Sequence, residues 1–182
     1  MHYIKNNNKI INKLELNDKY FEQNIHQTPS LEKIIISFNC QNLSSLKSIL
    51  QGFAALTLIS NQKPKFVQAY KSNILFKIRR GVPIGGKVTL RNEFMYNFIH
   101  KLSSEVLIKL ETILKSKNTR MNKNSCSFEL KDIFLWDNIV KSYKFFVGTP
   151  TLKITFVKNL KKGNSINIVK LIRYLRIPID FK

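Results

Sequence analysis

The polar and apolar positions of this 182-residue chain change period several times. From Lys33 to Asn39 they alternate, with Ile34, Ile36 and Phe38 on one side and Lys33, Ile35 and Ser37 on the other, the period of a strand. Asn42, Ser44 or Ser45 can cap the next element, in which Leu43, Leu46, Leu50 and Phe53 recur at helical spacing and Ala54, Leu56 and Leu58 follow. This predicts a helix to about Ile59, closed by Asn61 and Pro64; Gly52 costs it about 1 kcal/mol relative to alanine and allows close packing. Residues 65–69 and 87–91 read as strands around a loop. In the second, Val88 and Leu90 point one way and Lys87, Thr89 and Arg91 the other.

Asn92 then caps a long helix, with Glu93 in its first turn and Lys115 near its end, as the helix dipole favours. Its apolar stripe is Met95, Phe98, Ile99, Leu102, Val106, Leu110 and Ile113, a core face. Residues 115–127 read as a polar loop, 128–136 as a strand that includes Trp136 as core or interface, and 152–156 as a last strand in which Lys153 and Thr155 alternate with apolar residues. A helix over 10–23, a turn at 161–164 and a helix over 165–175 complete the pattern; residues 137–150, with Gly148 and Pro150, suggest a loop. Strands and helices mix without strict alternation. The expected class is α+β, an antiparallel sheet with helices packed on one face, in a single domain over 1–182 with a basic N-terminal extension at about 1–25.

Charge changes the picture most. Lysine and arginine number 31 against 11 acids, a net charge of +20. At 43% hydrophobic and 23% charged the chain is globular in composition, yet such an excess repels itself, and a polyanion would relieve it. Nucleic acid is the first candidate and an anionic membrane the second. No acid lies between Glu32 and Glu93, where ten lysines and arginines occur, eight of them between Gln62 and Arg91. That stretch also holds Gly81, Gly85 and Gly86, Pro64 and Pro83, and the rings of Tyr70 and Phe76. A positive loop with glycine joints and aromatic rings suits phosphates and exposed bases; the bland alternative is a solvated hairpin loop.

Other chemistries find little support. Residues 81–87 match the spacing of a Walker A loop, but Val88 stands where Ser or Thr would hold magnesium, a strand follows, and Pro83 removes a donor. His2, His26 and His100 are scattered, and Cys40 and Cys126 form neither a zinc pattern nor a disulfide framework, so no metal, cofactor or catalytic set is expected. No apolar run reaches the roughly 20 residues of a membrane span. Residues 1–12 lack arginine and an apolar core, a poor secretory or transit signal. A protein made inside an organelle would need neither, and heavy use of Lys, Asn and Ile is consistent with AT-rich codons.

The central stretch resembles a known family. Gln62-Lys63-Pro64, Lys71-Ser72, Phe76-Lys77-Ile78-Arg79, Gly81 with Pro83-Ile84-Gly85, and Lys87 to Arg91 are similar, in order and spacing, to the fifth protein of the ribosomal large subunit in its bacterial and organellar form. Weaker matches at Pro29–Ile34, at Met95 and Phe98, and at Ile177–Lys182 extend the resemblance over about 25–182. The resemblance implies the same fold, with the open sheet face toward RNA, and a non-catalytic role in the central protuberance. Lys33, Gln62, Lys63, Lys65, Lys87, Thr89 and Arg91 would face rRNA. Lys71, Phe76, Lys77, Arg79 and Arg80 would reach peptidyl-site tRNA on a loop hinged at Gly81, Gly85 and Gly86. Implied partners are large-subunit rRNA, 5S rRNA where the particle holds it, and neighbouring proteins including one of the small-subunit head, with no membrane. The implied location is the mitochondrial matrix, with the gene in the organelle. The chain departs from the family at Ser37, at Asn39–Leu43 and at the glycine-free Ser116–Ser127, positions that bear on the 5S contact and the bridge to the small subunit. A free-standing RNA-binding or RNA-chaperone protein is the alternative, and an RNA-modifying enzyme a third reading with no acid, base or cofactor motif behind it.

Overall fold

The computed structural model describes residues 30–39, 46–107, 109, 120–122, 124–159 and 172. The helix expected over 10–23, the caps at Asn42 to Ser45, the turn at 161–164 and the helix over 165–175 (Ile172 excepted, which is helical and buried) lie outside them. Strands β1 (Leu31–Asn39), β2 (Lys65–Gln68), β3 (Pro83–Leu90), β4 (Arg120–Met121), β5 (Ser125–Leu130) and β6 (Leu152–Lys158) form a sheet in the order β2-β3-β1-β6-β5-β4. The pairs β2/β3 and β4/β5 are antiparallel. The helices are α1 (Leu46–Ser60), α2 (Asn92–Lys101) and the one-turn α3 (Asp137–Val140) and α4 (Tyr143–Phe146). The fold is α+β, as the mixed pattern predicts.

By their contacts the residues divide into two units, one of Ile35–Leu90 with Phe128–Thr155, the other of the described parts of 1–34, 91–127 and 156–182. In the first, the ring of Phe38 is wedged between two glycines. A Cβ at Gly52 of α1 would lie 2.6 Å from Cε2 of that ring, and one at Gly86 of β3 would lie 2.8 Å from Cε1. Helix and strand can therefore meet on β1 only because neither carries a side chain there. This contact also sets the rotation of α1. Its buried face is Ile49, Gly52, Ala55, Leu56 and Ile59, whereas Leu50 is 60% exposed and Leu58 39%. The stripe expected from leucine spacing is thus displaced around the helix. Gln51 is buried as well and donates from Nε2 to the Phe145 carbonyl at 2.6 Å, tying α1 to α4. The helix ends where Ser60 Oγ donates to the Leu56 carbonyl and Asn61 turns left-handed at φ 53°.

Residues 137–150, read as a loop, hold α3 and α4. The strand expected over 128–136 stops at Leu130; Ile133–Leu135 is a 3-10 turn that buries Ile133, and Trp136 lies in the core. Strand β3 starts at Pro83, four residues before the position expected. Proline at a strand's first residue costs no ladder bond that matters, and the two glycines after it are what the Phe38 contact needs.

In the second unit, α2 starts differently from the expectation. The extended cap residue is Arg91, with no side-chain capping bond, and Asn92 is the first helical residue at φ 50°, a conformation asparagine tolerates. Met95, Phe98, Ile99, Leu102 and Val106 are buried as the spacing predicts. At Leu102–Leu107 the helix widens to a π turn. Ser103 Oγ and Ser104 Oγ both donate to the His100 carbonyl at 2.9 Å, competing with backbone N–H groups for the ladder. The polar stretch before Ser127 is not all loop: Arg120 pairs with Ser127 and Met121 with Cys126.

The Phe38 packing and the buried thiol are each open to test. Gly52→Ala, normally stabilising in a helix by about 1 kcal/mol, is expected to lower the melting temperature, because the Phe38 ring cannot retreat without striking Gly86; overpacking of this kind costs roughly 1–3 kcal/mol. Adding Phe38→Leu should recover part of the loss in a double-mutant cycle. Burial raises the Cys126 thiol from 9.0 to about 11. Its folded state therefore stays protonated where the unfolded chain ionises, so this group's contribution is intact below pH 9 and falls away between about pH 9 and 11. Thiol titration at pH 8 should find Cys126 unreactive until the protein is unfolded.

Candidate nucleic-acid interface

Within the first unit, the strands separate two faces. Ile36, Phe38, Val88, Leu90, Phe128, Leu130, Leu152 and Ile154 are buried, and α1 packs against this side. Phe66 of β2, opposite Gly86, belongs to it too and stacks on Phe53 of α1 with ring centroids 4.0 Å apart. The other face carries Lys65 and Val67 on β2, Lys87 and Thr89 on β3, Ile35 and Ser37 on β1, and Lys153 and Thr155 on β6. Lys65, Lys87 and Thr89 are exposed and the others half-buried.

The register makes this face electrostatically unusual. Lys65 lies directly opposite Lys87. Side chains so paired stand about 5 Å apart at Cβ, and like charges there destabilise the sheet. This unit contains twelve lysines and arginines against three acids, Glu129, Asp132 and Asp137. Such a pairing suits a bound polyanion, whose phosphates sit between cations that otherwise repel. Gln62 and Lys63 stand at the turn into β2, half-buried and exposed respectively, with the Gln62 N–H bonded to Ser60 Oγ at 3.2 Å. Lys33 and Arg91 belong to the other unit. Lys33 is half-buried, with Nζ 3.1 Å from Glu32 Oε1, and Arg91 is exposed, beyond the end of β3 rather than within it.

The loop between β2 and β3 is an ordered extension of their hairpin. Ala69 N–H donates to the Val82 carbonyl and Gly81 N–H to the Ala69 carbonyl, both at 2.9 Å. Beyond them, Asn73 and Ile78 exchange two hydrogen bonds of 2.9 Å, and Lys77 N–H closes a turn onto the Ile74 carbonyl at 3.0 Å. Lys71, Phe76, Lys77, Arg79 and Arg80 are all exposed on this projection. Of the three glycines expected as hinges, only Gly81 has a positive φ, 87°. Gly85 and Gly86 are strand residues instead. A Cβ at Gly85 would strike the Phe38 carbonyl oxygen, so both serve close packing rather than loop flexibility.

The sequence reading missed Lys153 and Thr155, whose place on the same face follows from the sheet order, although their alternation was visible. It also missed Ile74 and Leu75, exposed at the apex of the projection.

Comparison with known proteins bears on the family of the chain. No protein-family model matches the chain. It is 31% identical over 182 residues to "Large ribosomal subunit protein uL5m" of Reclinomonas americana, covering 99% of both chains. It is 33% identical over 155 residues to "Large ribosomal subunit protein uL5" of Helicobacter hepaticus, 82% of each, and 27% identical over 161 residues to the protein of that name in Mycoplasmopsis synoviae, 87% of this chain and 84% of the relative. Likeness at that level over the full length of a relative establishes descent, and the chain belongs to the uL5 family of large-subunit ribosomal proteins, in its mitochondrial type.

Proposed function

We propose that this chain is a structural, non-catalytic component of the large subunit of a mitochondrial ribosome, made from an organellar gene and acting in the matrix. It binds rRNA in the central protuberance with the open sheet face, through Lys65, Lys87 and Thr89 flanked by Gln62 and Lys63. Lys153 and Thr155 extend that face. Lys33 and Arg91 provide separate contacts, Arg91 with a guanidinium able to fork onto phosphate or a guanine edge. The β2–β3 projection touches peptidyl-site tRNA through Lys71, Phe76, Lys77, Arg79 and Arg80. Neighbouring ribosomal proteins, one of them in the small-subunit head, and 5S rRNA where present, complete the surroundings.

The observation that carries this reading is the opposition of Lys65 and Lys87 on an antiparallel pair. A fold that keeps two ammonium groups side by side on an open sheet face loses stability alone and regains it against RNA.

Stability, RNA affinity and assembly each test it. Lys65→Glu should raise the melting temperature of the free protein by roughly 1–3 °C at low salt, by turning a repulsive cross-strand pair into an attractive one, while weakening RNA binding. If six phosphates are engaged, affinity of the free protein for large-subunit rRNA should fall on the order of a thousandfold between 50 and 200 mM salt; a flat response counts against the reading. On sucrose gradients of mitochondrial lysate the protein should travel with large subunits. Arg91→Glu should reduce that incorporation, whereas Arg79→Glu with Arg80→Glu should spare it and impair tRNA placement. Sedimentation away from subunits would instead indicate a free-standing RNA-binding protein.

A further inference from the structure

The apex of the β2–β3 projection has a composition its turn does not require. Ile74, Leu75 and Phe76 are consecutive and 92%, 89% and 70% exposed. Tight turns in water favour Gly, Asn, Asp and Ser, and a run of three exposed apolar residues is unfavourable unless it meets a partner. The apex is also held in place. The paired bonds between Asn73 and Ile78 close its base, Asn73 Oδ1 accepts from Leu75 N–H at 3.1 Å, and Lys77 is fixed in a left-handed conformation at φ 52°. An ordered apolar tip pays little conformational entropy on contact. Its flanks, Lys71, Lys77, Arg79 and Arg80, are all cationic, and its stem continues into the strands bearing Lys65 and Lys87.

We infer that Ile74 and Leu75, with Phe76 beside them, form an apolar wedge that packs on the faces of unstacked nucleobases at a corner of folded RNA. This rests on the reading that the projection reaches tRNA, and adds the mode of contact. The cations hold the backbone as point charges and forks, while the tip contributes a term without counterion release. Apolar side chains inserted against base steps and rings stacked on bases supply contacts of this kind in other nucleic-acid complexes. The lipid alternative uses the same tip chemistry, but the tip is continuous with a cationic sheet face suited to a polyanion, and that continuity favours RNA.

The test uses the full chain, unfractionated tRNA, and an RNA duplex of equal length without loops, with affinities measured by fluorescence anisotropy from 50 to 300 mM salt. Ile74→Ser with Leu75→Ser should weaken tRNA binding on the order of tenfold at every salt concentration, leaving the slope of affinity against salt unchanged and duplex binding within about twofold. Arg79→Glu with Arg80→Glu should instead reduce that slope. A Leu75→Trp variant should show emission quenched by tRNA and not by the duplex, against the constant signal of buried Trp136. Because the apex side chains are exposed, circular dichroism should show all variants folded. If the serine variant binds tRNA within twofold of the parent while the Arg79/Arg80 variant is weakened, the wedge is overturned and the tRNA reading survives. If neither variant is weakened, both fall. Equal loss on tRNA and duplex overturns base-face contact. So does Ile74/Leu75-dependent sedimentation with phosphatidylglycerol vesicles that is not matched by a loss on tRNA.

Discussion

One aromatic ring set between two missing side chains governs the unit that carries the basic face. Phe38 rises from β1 into a gap bounded by Gly52 on α1 and Gly86 on β3, and the β1 backbone beneath it lies against Gly85. The position of β3 fixes that of β2, its hairpin partner, and the hairpin in turn carries both the opposed lysines and the projecting loop. The chemistry of the basic surface is therefore downstream of a purely steric constraint in the core. Apolar burial supplies the energy that tolerates like charges at short range on the opposite face, a cost of at most about 1 kcal/mol.

Much of this was legible in the sequence where a side chain's type and its period gave the same answer. β1, the second half of β3 and β6 alternate plainly, and the stripe of α2 from Met95 to Val106 is buried as its spacing requires. The errors have physical causes. Leucine spacing placed the buried face of α1 on Leu50, but glycine has no hydrophobic signal, and it was Gly52 and the buried Gln51 that fixed the rotation. The first half of β5 was hidden because Ser125, Cys126 and Ser127 carry its alternation weakly. The π turn came from hydroxyl groups reaching back to a carbonyl, which apolar patterning does not register.

The candidate interface was legible by charge and incomplete by geometry. Acid-free sequence from Lys33 to Asn92 marked the basic surface, and Lys65, Lys87 and Thr89 do share a face. Which lysine stands across from which depends on register, and no property of either residue alone reveals it. Gly81, Gly85 and Gly86 look equivalent in a glycine-rich stretch, yet one bends the chain and two let strands and ring approach. The tip residues Ile74 and Leu75 stand outside any strand or helix period, and it is their exposure that singles them out.

The outer strand of the sheet has a consequence for the protein before it meets any partner. β2 offers only four residues at the rim, its ladder is interrupted between Val67 and Gln68, and Lys65 projects from its start. A short, kinked, charged border is a poor template for another chain to add a strand. Free copies are thereby discouraged from polymerising edge to edge, a safeguard suited to a polypeptide that must stay single until it joins its ribosomal subunit.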